Sequence, residues 1–191
     1  MVTLVLSRLD YGNAVLVGLP AYLVRRLQSI LNAAARLIYR MRSADHITDA
    51  LVCLHWLRVP ERIDFKVAVL TYKVLHGSAP RYLGPFAAVA NLPSRRTLRS
   101  GGTSRLIVPS VRRSTVGDRA FSVAGPRVWN TLPEEITTSQ SLLTFRQQLK
   151  NLALQEIISG HHYLNQNLFN FTINLEVALL LRQFLIDCLI D

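Results

Sequence analysis

Arginine is the residue type whose placement in this chain points most directly to chemistry. Between Arg81 and Arg119 stand eight arginines (Arg81, Arg95, Arg96, Arg99, Arg105, Arg112, Arg113 and Arg119) and one acid, Asp118, so this window carries +7 of the net +10. A guanidinium stays charged and presents a planar fork of donors that fits two phosphate oxygens at once. Such a run is expected to meet a polyanion, each neutralised phosphate releasing counterions and steepening the salt dependence. Arg95, Arg96, Arg99, Arg105, Arg112 and Arg113 are the leading candidates for contact with an RNA or DNA backbone. Arg25, Arg26, Arg36 and Arg40 lie mostly off the apolar face of a helix, and fit either a solvated face or a phosphate-facing one. Tyr82, Phe86, Phe121 and Trp129 are aromatics that could stack on bases. Phe121 and Trp129, however, stand among small and apolar neighbours and are expected to be structural anchors in the core.

Other site chemistries find no support. Cys53-Leu54-His55 puts a thiol and an imidazole two positions apart on a helix, facing different ways, and is expected to be a core cysteine beside a half-exposed histidine. His161-His162 has no cysteine or acid at ligand spacing, so no metal is expected. Gly101-Gly102-Thr103 lacks the lysine and helix start of a phosphate-binding loop. Asn170-Phe171-Thr172 matches a glycosylation acceptor, with nothing secretory to support its use. Glu134-Glu135, the only acidic doublet, follows Pro133 where acids offset a helix dipole. No catalytic constellation and no cofactor are expected.

The elements that would hold the arginines follow from composition and periodicity. Half of the 191 residues are hydrophobic, enough for a real core, and 18% are charged. Only Lys66, Lys73 and Lys150 are lysines. Cys53 and Cys188 form no disulfide framework, which suits a reducing compartment. Arg8 and Asp10 interrupt the apolar start too early for a signal peptide, and Leu168–Ile190 contains Glu176, Arg182 and Asp187. The expectation is a nuclear or cytoplasmic chain with no membrane partner.

Fold class is expected to be mainly α: a small helical subdomain over 1–92, an arginine-rich β-hairpin or loop segment with further helices over 93–158, and an apolar tail over 159–191. Pro20 can begin a helix over Ala21–Arg40, with Leu23, Leu27, Ile30, Leu31, Ala34, Leu37 and Ile38 as one broad apolar face. A shorter helix over His46–Leu57 and a third from Pro60 to His76, closed by Gly77, come next. Ile63, Val67, Leu70 and Val74 trace the third helix's buried stripe, while Phe65, Val69 and Tyr72 leave room for contacts on a second side. Ala79–Leu83 is a brief turn of helix. Thr97–Ser100 and Arg105–Val108 are strand-like runs around Gly101-Gly102, the arms of a plausible hairpin. In Thr115–Pro133 two short turns are expected, the first capped by Asp118 and ended by a Gly125-Pro126 break. Ser139 or Ser141 can cap a last helix to about Ile158, with Leu142, Phe145, Leu149 and Leu152 buried.

Four ordered stretches carry a family likeness: SRLDYGNAVLVGLP (Ser7–Pro20), LQSILNAAARLIYR (Leu27–Arg40), HITDALVCLHWLRVPERIDFKVAVLTYKVLHGSAPRYL (His46–Leu83) and GDRAFSVAGPRVWNTLP (Gly117–Pro133). Over roughly Ser7 to Leu154 the chain resembles the extreme C-terminal region of reverse-transcriptase polyproteins from LINE-type, jockey-like non-LTR retrotransposons. Gly12 stands where relatives usually have cysteine. The resemblance implies a place near template RNA and nicked target DNA, with the remainder of the polyprotein as partner. Reverse transcriptases hold two metal ions with clustered acids, in part from a Tyr/Phe-x-Asp-Asp turn. No Asp-Asp pair occurs here, so the palm is expected upstream and this chain is expected to be non-catalytic. Two other readings stand beside it: a relic of a truncated element without selected activity, and a protein-interaction module using a groove lined by the first three helices.

Overall fold

The computed structural model describes residues 2–91 and 104–159, and among these the chain is mainly helical. Residues 1–155 form one compact unit, and Glu156–Asp191 is a second. In the first unit α1 (Val2–Asp10) leads through Gly12, at φ 69°, into a 3-10 turn over Asn13–Leu16. Gly18, at φ 68°, and Pro20 then set up α2 (Ala21–Tyr39). Pro20 fixes φ and lacks an amide that a helix start would leave unpaired, so the helix begins where that proline directs it. Arg40 ends it in the left-handed region, at φ 52°.

The next helix, α3 (Ile47–Cys53), is shorter than the expected His46–Leu57. His55 turns to φ 54°, and the Trp56 amide donates to the Leu51 carbonyl at 2.8 Å, folding the chain back. Trp56 and Leu57 are thereby buried, which offsets the strain of a non-glycine at positive φ. Cys53 is exposed rather than in the core, because the helix turns its other side inward, where Ala50 and Leu51 are buried. The His55 ring meets the Cys53 carbonyl, not its thiol.

At the centre lies α4 (Val59–Leu75). Pro60 sits in its first turn, and the Val59 amide is taken by Gln28 Oε1 of α2 at 2.8 Å, a cap supplied from another helix. At the other end the Gly77 amide donates to Val74 and the Ser78 amide to Lys73, with Gly77 at φ 67°, which is a Schellman closure. Asp10 takes two hydrogen bonds from Arg62, at 3.0 and 2.9 Å, and so ties α1 to α4. The buried residues of α4 run round more than one side. Ile63 and Val67 join Leu31, Ala35, Leu51, Trp56 and Val59 in one core, while Ala68, Val69 and Tyr72 join Leu106, Trp129, Ile136, Phe145 and Leu149 in another. Leu70 and Val74 are only half-buried. Residues on both sides of position 92 therefore share α4 as a common wall.

After the short α5 (Ser114–Gly117), the second core is built by α6 (Phe121–Thr131), α7 (Glu134–Thr137) and α8 (Leu142–Ser159) around α4. Gly125 and Pro126 do not break the chain; both lie buried inside α6. A Cβ on Gly125 would stand 2.9 Å from Phe86 Cζ and 2.9 Å from Thr71 Oγ1, so the missing side chain lets α6 lie close on α4. Pro126 removes the amide that would bond the Ser122 carbonyl, and Ser122 is exposed, so solvent can take that carbonyl. Burial of this helix against α4 outweighs a propensity cost of roughly 3 kcal/mol for the proline. Asp118 does not cap α6; its carboxylate pairs instead with Arg127 at 3.1 Å. Glu134 and Glu135 occupy the first turn of α7 after Pro133, as expected. Ser141 Oγ accepts the Thr144 amide at 3.1 Å and starts α8, whose Phe145 is fully buried and whose Leu149 is nearly so. Tyr72 stacks on Phe145 at 4.6 Å between ring centres and donates its hydroxyl to the Ser139 carbonyl at 2.9 Å.

Candidate nucleic-acid interface

The residues of the arginine window from Ser104 onward are held by an unusual arrangement. Val89 donates to the Arg105 carbonyl at 2.9 Å, and Ile107 donates to the Ala87 carbonyl at 2.8 Å, forming an isolated antiparallel bridge centred on Ala88 and Leu106. In an extended chain the amide and carbonyl of the intervening residue point the other way. Those two groups of Leu106 are met by the Asn130 side chain, whose Nδ2 donates to the carbonyl and whose Oδ1 accepts the amide, both at 2.8 Å. Asn130 thus completes the backbone bonding that a neighbouring strand would supply. Trp129 Nε1 donates to the Ser104 carbonyl at 2.9 Å, while its ring packs 5.8 Å from that of Phe145.

This arrangement corrects the hairpin expected for the window. Both edges of the extended run at Leu106 are occupied, one by Ala87–Val89 and the other by Asn130, so no edge is left there for a second arm. Thr97–Ser100, the proposed other arm, lies outside the described residues, as do Arg95, Arg96 and Arg99.

Arg105, Arg112 and Arg113 are exposed, and no described carboxylate pairs with any of them. Arg105 borders a cavity of about 250 Å³ with Ser104, Trp129, Asn130, Glu134 and Thr137. The Glu134 carboxyl in that wall opposes an anion, so the cavity itself is no phosphate pocket. Arg112 and Arg113 are carried on a compact turn. The Val111 side chain lies within 2.7 Å of where a Gly117 Cβ would be, and the Gly117 amide donates to the Arg113 carbonyl at 2.8 Å. The side chain of Arg119 crosses the backbone at Gly18, its Cγ 3.1 Å from the position of a Cβ there, so the end of the window meets the approach to α2.

On α2, Arg25 and Arg26 are exposed, as is Arg40 at its end. Arg36 is half-buried, with Nε shielded from solvent and without a hydrogen-bond partner among the described residues, which suits it poorly to a backbone phosphate. Tyr82 is exposed, whereas Phe86 packs on Phe121 at 5.5 Å. Phe121 is half-buried against the core of α2, α3 and α4, and Trp129 is buried.

Sequence reasoning missed the residues that position this arm. Nothing near Asn130 marks it as a backbone partner for a segment twenty-four residues earlier. It also passed over Lys150, half-buried on α8, whose pKa is pushed below the ordinary 10.5 by burial and then by the charge of Arg62. Among the described residues no group of three or more His, Cys, Asp or Glu could hold a metal ion, and no helix is long and apolar enough to cross a membrane. No protein-family model, curated protein or solved structure matches the chain.

Proposed function

We propose that this chain is a non-catalytic nucleic-acid-binding fragment, akin to the segment downstream of the polymerase palm in LINE-type reverse transcriptases. Arginines after position 92 grip RNA or DNA backbone, in support of reverse transcription by a palm carried elsewhere in the polyprotein. The observation that carries this reading is the exposure of Arg105, Arg112 and Arg113 without carboxylate partners among the described residues, inside a stretch of +7. A guanidinium that holds no carboxylate has no ion pair to break on meeting a phosphate and gains a bidentate charge-assisted bond. The compact Val111–Gly117 turn presents two of the three side by side.

Titrating labelled single-stranded RNA and duplex DNA with the full chain over a range of salt tests the reading. Binding should weaken steeply with salt, the log–log slope being several units and close to −0.9 per neutralised phosphate on duplex DNA. Arg112→Ala with Arg113→Ala should flatten that slope by about 1 to 2, and adding Arg95→Ala, Arg96→Ala and Arg99→Ala should remove most of it. Negligible affinity at low salt, or an unchanged slope in the five-fold variant, refutes it.

A further inference from the structure

The outer face of α2 is a different kind of surface from the arginine arm. From Tyr11 to Ala44 the sequence contains no acid and five arginines, Arg25, Arg26, Arg36, Arg40 and Arg42. The inner side of α2 buries Leu31 and Ala35, with Val24, Leu27, Ala34 and Ile38 packed round them. On the opposite side Tyr22, Ile30 and Leu37 are 58%, 53% and 60% exposed. At 3.6 residues per turn these three and the exposed Ala33 fall within roughly 80° of arc. Arg26 stands among them, Arg25 lies along one flank, and Arg40 is at the end.

Phosphate binding would use these arginines but leave Ile30 and Leu37 in water. A second copy of the same face would set a wholly basic surface against another. The nearest acids in sequence are already engaged, Asp10 by Arg62 and Asp45 by the Arg42 amide. An apolar strip edged by arginines that pair with no carboxylate among the described residues is complementary to a helix with its own apolar strip edged by carboxylates. We propose that the outer face of α2 docks an acidic amphipathic helix of a partner protein. Leucine- or isoleucine-type side chains of that helix pack between Tyr22, Ile30 and Leu37, and its carboxylates meet Arg25, Arg26 and Arg40. The site does not depend on the arginine arm, so it stands or falls apart from nucleic-acid binding.

The probe is a fluorescein-labelled synthetic helix of roughly eighteen residues, with leucines along one face and glutamates on both flanks. Its control is a peptide of the same composition with the leucines scattered round the helix. Anisotropy with the full chain should give a Kd on the order of 10 μM for the amphipathic peptide and binding at least about tenfold weaker for the control. Ile30→Ser with Leu37→Ser should weaken binding about tenfold or more, with the circular dichroism spectrum unchanged because both side chains are already exposed. Arg25→Ala with Arg26→Ala should weaken it a few-fold and flatten its salt dependence. No binding, equal binding of the control, or indifference to the serine pair overturns the proposal. So does self-association of the chain alone that the serine pair abolishes, which would give the face to a second copy.

Discussion

Gly125 offers the most exposed test of how the two cores are joined. Replacing it with alanine adds one methyl at a point where Phe86 Cζ and Thr71 Oγ1 are each 2.9 Å from the new Cβ and Phe121 Cε2 is 3.5 Å away. Real contacts to a Cβ are longer, so at least two neighbours must move. Phe86 can swing, being half-exposed at the end of a flexible side chain, but Thr71 is fully buried and its hydroxyl already donates to the Val67 carbonyl at 2.9 Å. Against this stands the intrinsic preference of a helix for alanine over glycine, about 1 kcal/mol. Overpacking costs about 1–3 kcal/mol, and losing the Thr71 bond adds about 1 kcal/mol. The balance is a loss of roughly 1–3 kcal/mol. In urea unfolding, with a slope of roughly 2 kcal/mol per molar, the midpoint should fall by about 0.5 to 1.5 M. Ser122→Ala, on the exposed side of the same helix, should stay within about 0.5 kcal/mol of the native protein. Shortening Phe86 to leucine should recover part of the loss in the double variant, with a coupling of about 0.5–1 kcal/mol. A Gly125→Ala protein as stable as the native one or more so would show that α6 does not pass so close to α4, and the packing drawn here would be wrong.

Two further outcomes follow from single side chains. Asn130→Leu leaves the Leu106 amide and carbonyl without partners in a buried segment and should cost about 2–4 kcal/mol, whereas Thr131→Leu at the exposed neighbouring position should cost far less; equal losses would refute the bracket role of Asn130. Lys150→Met concerns pH. The folded state binds the Lys150 proton less tightly than the unfolded chain does, because burial and then Arg62 disfavour the charge. The cost is fully present below the lowered pKa and fades as pH rises towards 10.5, so Lys150→Met should stabilise the protein at pH 7 by a few tenths to ~1 kcal/mol and by less at pH 10. A gain independent of pH would assign the effect to packing instead.

How much of this could be read from the residues alone depended on where each residue's partner lies. The extent of α4 was legible, since Pro60 and Gly77 act within a few residues of themselves, but of its expected stripe only Ile63 and Val67 are buried, Leu70 and Val74 being half-buried. Ser141 and the Phe145–Leu149 stripe were legible for the same reason. Gly125-Pro126 misled because its local meaning, a break, is overruled by a contact with Thr71 of α4, which nothing in the neighbouring sequence announces. The bonding of Leu106 was hidden likewise: a strand-like run predicts a second strand, and here an asparagine side chain supplies the second edge. The cap of α4 by Gln28 spans thirty-one residues and leaves no local trace at all.

The outer face of α2 shows the opposite kind of shortfall. Periodicity placed Leu23, Leu27, Ile30, Leu31, Ala34, Leu37 and Ile38 on one broad apolar face, which is a stripe wider than one helix neighbour covers. The structure shows how much the chain itself fills: α3 and α4 cover the side of Leu31 and Ala35, while Ile30 and Leu37 stay more than half exposed. A hydrophobic pattern records what a helix can bury, not what its own chain buries. The difference between the two, measured at Ile30 and Leu37, is the surface left for the proposed partner helix, which periodicity alone cannot separate from the core. The arginines beside that strip narrow the chemistry of the proposed partner, because a guanidinium that pairs with no carboxylate among the described residues is free to find one elsewhere.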